Sequence, residues 1–196
     1  EKNGVNVPNG VRCTRSDIAD MTDMANKIGF PITLKGLGLA HKSEVGAVKV
    51  GLQNKQELDS ALAMMPSEIN EFLVEQTVID VVAEILVGIR RDAPVGWLIT
   101  LGAGGVYTEL WRDTTFLLAP VDDEQILGSL AKLRIAPLLN GFRGKPAGNL
   151  NALVELIQNV ISTAMNNNLV EVELNPVLVT PNTAVAVDAL MIATQQ

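Results

Sequence analysis

One cysteine, Cys13, is all the thiol chemistry the chain has. An intrachain disulfide and a multi-cysteine zinc site are therefore both excluded, which fits a reducing compartment. Cys13 itself reads as a small, buried or half-buried residue. Histidine is as scarce, with His41 alone. Basic residues are in the minority, 15 Lys and Arg against 22 Asp and Glu. The net charge of -7 and pI near 4.7 argue against a nucleic-acid surface, which needs a basic patch to displace counterions. Any phosphate must be met by a few local groups. No apolar run approaches the roughly 20 residues of a membrane-spanning helix, and no basic-then-apolar leader stands at the start. The expected location is the cytoplasm, with neither nucleic acid nor membrane as partner. The chain opens on Glu1 and a loop-like segment, Asn3 to Pro8, and reads as a piece of a longer polypeptide.

What is present is 196 residues, 47% apolar and 19% charged, enough for one substantial core or two small lobes. Ser16 is a candidate N-cap for a helix with Ile18, Met21, Ala25 and Ile28 on one face, closed by Gly29. A strand from Phe30 to Lys35 runs into the glycine-broken loop 36–46, and Ala47 to Leu52 resumes as strand. Asn54 followed by Glu57 signals a second helix, striped by Leu58, Ala61, Leu62 and Met65. Strands follow at Phe72–Val78, Val82–Ile89 and Trp97–Leu101, with more strand expected after Gly105 as far as Pro120. A helix starting at Asp122 or Asp123 carries Ile126, Leu130 and Leu133, and a longer one runs from Leu150 to Met165. There is no internal repeat. Hairpin-like strands interspersed with helices predict an α+β fold of two lobes, 1–78 and 79–196.

Near the C-terminus, Glu171 to Pro176 runs into Val177 to Asp188 as a hairpin. Pairing Val179 with Ala184 around the Thr180 to Thr183 loop places Asn175 directly opposite Asp188. Directly opposed side chains start roughly 5 Å apart at Cβ, so their oxygens can converge on one magnesium ion that also holds substrate phosphates. Glu173 shares that face by strand alternation. The bland alternative is a solvated polar face, and Pro176 points to an edge or a bulge able to shift the register.

Other segments offer complementary chemistry. Lys35 ends an apolar strand before a glycine turn, where an ammonium and backbone amides can meet phosphate oxygens; a strand-end lysine reaching solvent is the alternative. Glu75 and Glu84 flank the crossing between the lobes, and a carboxylate can accept from both hydroxyls of a ribose. Gly102-Ala-Gly-Gly105 permits close backbone approach to an anion, and equally a tight turn. His41 stands beside Lys42, Ser43 and Glu44 in the glycine-bounded loop. Arg143 could pair with phosphate or pin its own loop.

Taken together, Gly29 to Lys35, His41 to Gly46, Phe72 to Gln76, Glu84 to Gly88, Gly102 to Val106, Gly141 to Pro146 and Glu171 to Pro176 with Asp188 resemble the ATP-grasp domain of the ADP-forming acyl-CoA synthetases, kin of the β subunit of succinyl-CoA synthetase. The resemblance covers nearly the whole chain. It implies two α+β lobes with a nucleotide cleft between them: a small lobe, 1–78, shortened at its N-terminus, and a large lobe, 79–196, with the metal-binding hairpin. It implies ATP or ADP and magnesium as cofactors, with Lys35 on the nucleotide phosphates, Glu75 with Gln76 and Val78 at the adenine edge, Glu84 on the ribose, and Gly104 and Gly105 beside the nucleotide. Asn175 and Asp188 would hold magnesium, with Glu173 added as a third ligand from its place on the same strand face, and His41 would be a second phosphoryl carrier. Its reaction would join a small carboxylic acid to CoA through acyl phosphate and phosphohistidine, with CoA on a partner region, fused or separate, that carries the main histidine. A regulatory module of a fused protein acetyltransferase is the rival reading. Where the family often has two glycines this chain has Gly46-Ala47, and it has Asn149 near an expected aspartate.

Overall fold

A computed structural model of the chain describes residues 4–38, 46–106, 108–167 and 169–194. The fold is α+β, in two compact units, Pro8–Val78 and Glu1–Val7 with Ile79–Gln196.

The first unit is a four-stranded antiparallel sheet in the order β1-β4-β2-β3, where β1 is Gly10–Thr14, β2 Ile32–Gly36, β3 Val48–Leu52 and β4 Glu71–Gln76. Strand alternation sends Ile32 and Leu34 of β2 and Phe72 and Val74 of β4 to one face. There they are buried with Met21 and Ala25 of α1 (Ile18–Ile28) and Leu58, Ala61 and Leu62 of α2 (Lys55–Ala63). Thr33, Lys35 and Glu75 take the opposite face. Gly29 ends α1 with φ 92 and donates its N–H to Ala25 O at 2.9 Å. The cap at the other end differs from expectation. A short 3-10 turn, Arg15–Asp17, precedes α1, and Thr14 donates from both its backbone N and its Oγ1 to Asp17 Oδ2, at 2.8 and 2.7 Å. These two bonds hold the exposed Asp17 carboxyl below the usual carboxylate range. Asn54 does cap α2, accepting from Glu57 N at 3.0 Å.

The second unit holds a six-stranded sheet, β10-β8-β5-β6-β7 with β9 paired to β8. The strands are β5 (Ala83–Asp92), β6 (Gly96–Ala103), β7 (Thr114–Leu118), β8 (Leu169–Val179), β9 (Ala184–Ala186) and β10 (Ala189–Ala193). One face is buried under α4 (Asp123–Leu130) and α6 (Leu150–Asn166), where Ile126, Leu130, Leu153, Leu156, Ile157 and Val160 meet Ile85, Val87, Ile99 and Leu101. Continuous strand after Gly105 is not what forms: a four-residue helix, α3 (Thr108–Trp111), comes before β7. A further short helix, α5 (Ala136–Leu139), follows α4. Residues 4–7 depart from the expected first lobe. Asn6 O accepts from Ala186 N at 2.9 Å, Asn159 Nδ2 donates to Gly4 O at 3.0 Å, and Val5 packs on this core.

Asn149 N-caps α6 by accepting from Ala152 N at 3.0 Å, and its Nδ2 donates to Asn182 O, also at 3.0 Å. The second bond needs an amide, since an ionised carboxylate has no proton to give. Among the described residues, no helix is long and apolar enough to cross a membrane.

Candidate functional site

In the first unit the sheet register brings Lys35 and Glu75 together. Thr33 lies opposite Glu75 and Lys35 opposite Leu73, so the two charged side chains are diagonal neighbours on one face, and they form an ion pair. Both are buried, 7% and 5% exposed. A buried ion pair is tolerated only when its members satisfy each other, because each alone would carry a desolvation penalty of several kcal/mol. Gly10 lies opposite Glu75 on the neighbouring strand, where an added Cβ would come within 2.9 Å of Glu75 Cβ. Thr33 and Thr77 share a hydroxyl bond at 2.9 Å on the same face. Gln76 ends β4, its N–H donating to Asn9 O at 2.8 Å; Val78 is the last residue of this unit. The methyl of Ala47 is fully buried in the apolar core of this unit. His41 lies outside the described residues.

In the second unit, Glu84, Gly104, Gly105 and Asn175 come together. Gly104 sits so close to β5 that an added Cβ would meet the backbone of Ile85 at 2.6 Å and that of Leu86 at 2.8 Å. Its N–H donates to Glu84 O at 2.8 Å. Gly105 has φ 79, and the space a side chain would fill is taken by Glu84: an added Cβ would collide with Oε2 and lie 3.0 Å from Cδ. Glu84 is exposed by surface area, yet its carboxyl is pushed above the usual range by burial. The two observations agree if the stem is open and only the carboxyl end is sheltered, against Gly105. Gly105 N–H donates to Asn175 Oδ1 at 2.8 Å. Both glycine amides are thus engaged within the protein, so the turn offers a ligand close approach and not free donors.

The hairpin keeps the expected register. Val179 pairs with Ala184, Asn175 N donates to Asp188 O at 3.3 Å, and the same register continues from Ala189 with Leu174 to Ile192 with Glu171. Asn175 therefore lies opposite Asp188. Of the two readings of Pro176, an edge or a bulge, a bulge is found, but on the other flank of β8, where it leaves the hairpin register unshifted: Ile85 pairs with Val177 but Val87 pairs with Leu174, so Asn175 and Pro176 together oppose Leu86. A bulge re-aims the side chains at its position, and here it switches the buried set from Val177 and Val179 to Leu174 and Val172. Glu173 and Asn175 remain on the half-open face. Burial, and next the charge of Glu171, push the Glu173 carboxyl above its usual range. Glu171 was missed as part of this site, though its alternation with Glu173 and Asn175 is visible in the sequence. Arg143 is exposed, with its guanidinium 5.2 Å over the Phe142 ring.

The donor set suits a hard cation. Asn175 Oδ1 has a second acceptor site beyond the one Gly105 uses, and Glu173 and Asp188 supply carboxylate oxygens. Among the described residues, no three of His, Cys, Asp and Glu cluster tightly enough to hold a metal by themselves. A set of one amide and two carboxylates fits magnesium, which keeps waters and substrate phosphates as further ligands.

Residues 1–192 match the ATP-grasp domain family. The chain is 28% identical over 179 residues to the β subunit of acetate–CoA ligase [ADP-forming] I of Pyrococcus furiosus, covering 86% of this chain and 77% of that one. It is 31% identical to the 4-hydroxybutyrate–CoA ligase [ADP-forming] of Nitrosopumilus maritimus, of which it spans only 25%. An acetyl-coenzyme A synthetase of Ca. Korarchaeum cryptofilum, solved with coenzyme A and Mg-AMPPCP, superposes with TM-score 0.80 at 30% identity, over 98% of this chain and 87% of that one. The same enzyme with coenzyme A and Ca-AMPCP gives TM-score 0.84.

Proposed function

Because the chain belongs to the ATP-grasp domain family, we propose that it is the nucleotide-binding part of an ADP-forming acyl-CoA synthetase, a cytoplasmic acid–thiol ligase that uses ATP to join a small carboxylic acid to CoA. The reading rests on one observation: Glu84, Gly105 and Asn175 interlock, with Asn175 in turn opposite Asp188. It draws support from the similarity to an enzyme solved with Mg-AMPPCP.

In this reading Lys35 meets the nucleotide phosphates. Glu75, with backbone groups of Gln76 and Val78, accepts from the adenine edge, and Glu84 accepts from the ribose hydroxyls. Gly104 and Gly105 bring backbone close to the nucleotide. Asn175, Asp188 and Glu173 would hold magnesium, which when bound offsets the charge on the transferring phosphoryl oxygens. Before nucleotide arrives, Lys35 is paired with Glu75, so the phosphates bring Lys35 a second anionic partner. His41 is assigned as a phosphoryl carrier. CoA and the main histidine belong to a partner region, fused or separate, so this chain alone binds Mg-ATP and makes no thioester.

Titration calorimetry tests the reading. Magnesium-dependent ATP binding is expected, and Asn175→Ala with Asp188→Ala should remove the magnesium dependence; binding unchanged in that double variant refutes it. With the CoA-binding partner present, His41→Ala should slow phosphoryl transfer while sparing ATP affinity. Unchanged turnover returns His41 to an ordinary loop residue.

A further inference from the structure

A cavity of about 500 Å³ opens in the second unit, within the size range of sites for small organic ligands. None of Glu84, Gly104, Gly105, Glu173, Asn175 or Asp188 lines it. Its walls include the aromatic side chains of Trp111 and Phe142 with Leu110, Ile135 and Leu138. Leu110 is 75% exposed, and Trp111 and Phe142 are about half exposed. A four-residue helix on the surface, α3, thus turns two large apolar side chains toward solvent around a concavity. The usual gain from burying them is forgone.

Charge makes the cavity specific. Arg134 lines it, and Arg143, outside the lining, stacks its guanidinium over the ring of Phe142, which is part of it. Among the described residues, neither guanidinium is in an ion pair. Among the described residues, the acid in the lining is Asp113, buried and turned to the backbone, accepting from Arg134 N at 2.9 Å and Ile135 N at 3.0 Å. Its carboxylate fixes the backbone from which the Arg134 side chain projects. The surrounding sequence is basic in an acidic chain: residues 125–154 hold Lys132, Arg134, Arg143 and Lys145 and no Asp or Glu. Planar guanidiniums beside aromatic faces recognise an oxyanion through paired N–H donors while stacking on flat rings.

We propose that this cavity is a binding site for a small organic anion with a flat apolar body, seated between Trp111 and Phe142, whose carboxylate, sulfonate or phosphate is held by Arg134 and Arg143. The proposal is independent of the nucleotide-binding reading and needs none of its residues.

The probe is 8-anilinonaphthalene-1-sulfonate, titrated into the whole chain at neutral pH. Saturable binding of one probe per chain is expected, with energy transfer from Trp111. Of the two tryptophans, Trp111→Phe leaves Trp97, and transfer should fall sharply while the fold and melting temperature are kept. Arg134→Gln keeps the backbone N–H that Asp113 uses and should weaken binding about tenfold, the loss of one charge-assisted bond; Arg143→Gln should act in the same direction. The uncharged N-phenyl-1-naphthylamine should bind about tenfold more weakly than the sulfonate. Absence of saturable binding overturns the site. Equal affinity in Arg134→Gln, or equal affinity for the uncharged probe, overturns the anion and leaves a plain apolar groove of the kind a partner protein covers. Undiminished transfer in Trp111→Phe places the probe elsewhere and overturns the assignment.

Discussion

Replacing Gly105 by alanine puts a methyl group where Glu84 keeps its carboxyl. Two costs follow, and they are read by different assays. An L-residue at φ 79 loses about 1–2 kcal/mol, which for a chain of this length lowers the melting temperature by about 2–8 °C. The collision with Glu84 Oε2 adds little to that figure, because the free end of a side chain can swing away. That swing is the second cost. It withdraws the carboxylate from the ribose, and a charge-assisted hydrogen bond of about 1.5–3 kcal/mol converts to a loss of about 10- to 150-fold in affinity for Mg-ATP. Calorimetric titration of Gly105→Ala, Glu84→Ala and the double variant closes a cycle. If the methyl acts by displacing Glu84, each single variant loses affinity and the double loses little more than either. Wild-type affinity in Gly105→Ala refutes the reasoning, as do two losses that add to within about 0.5 kcal/mol.

Lys35→Met takes the opposite charge away from a buried carboxylate and should destabilise the first unit by about 3–5 kcal/mol. Lys35→Met with Glu75→Leu should recover most of that loss in chemical denaturation without recovering ATP binding; a single-variant cost below about 1 kcal/mol contradicts the pairing. Glu173 has its folded-state pKa raised, by burial first and then by Glu171. The folded chain therefore holds this proton more tightly than the unfolded one. The stabilisation is complete below the ordinary glutamate range and is lost as pH rises through the folded-state value. Glu173→Gln should raise the melting temperature at neutral pH, with a gain that fades as pH falls through the glutamate range, and should weaken magnesium-dependent ATP binding. A melting temperature that does not rise at neutral pH counts against the raised pKa.

Elements with strong local signals were legible in the sequence. Asn54 and Glu57 announce α2, and Gly29 closes α1 because only its φ accommodates the turn. The hairpin register follows from one pairing, since strand partners keep a constant sum. Short or weakly patterned elements were not legible. In β1 only Cys13 is buried, so no alternation marks it, and α3 has four residues, fewer than a helical stripe needs to show its period. Long-range partners were also invisible. Nothing local says that Asn175 accepts from Gly105, or that Glu84 fills the space beside it, because those contacts depend on β5, β6 and β8 assembling first. The Lys35–Glu75 pair lies between these cases: two opposite charges in otherwise apolar strands are visible, but their diagonal placement needs the β2–β4 register.

Asn149 ties the start of α6 to the Thr180–Thr183 loop with a neutral amide, giving one hydrogen bond and taking another. A carboxylate there would repel the Asn182 carbonyl oxygen once ionised, and would change its behaviour on protonation. The amide has no such dependence, so the anchor at the hairpin's turn stays fastened as pH falls.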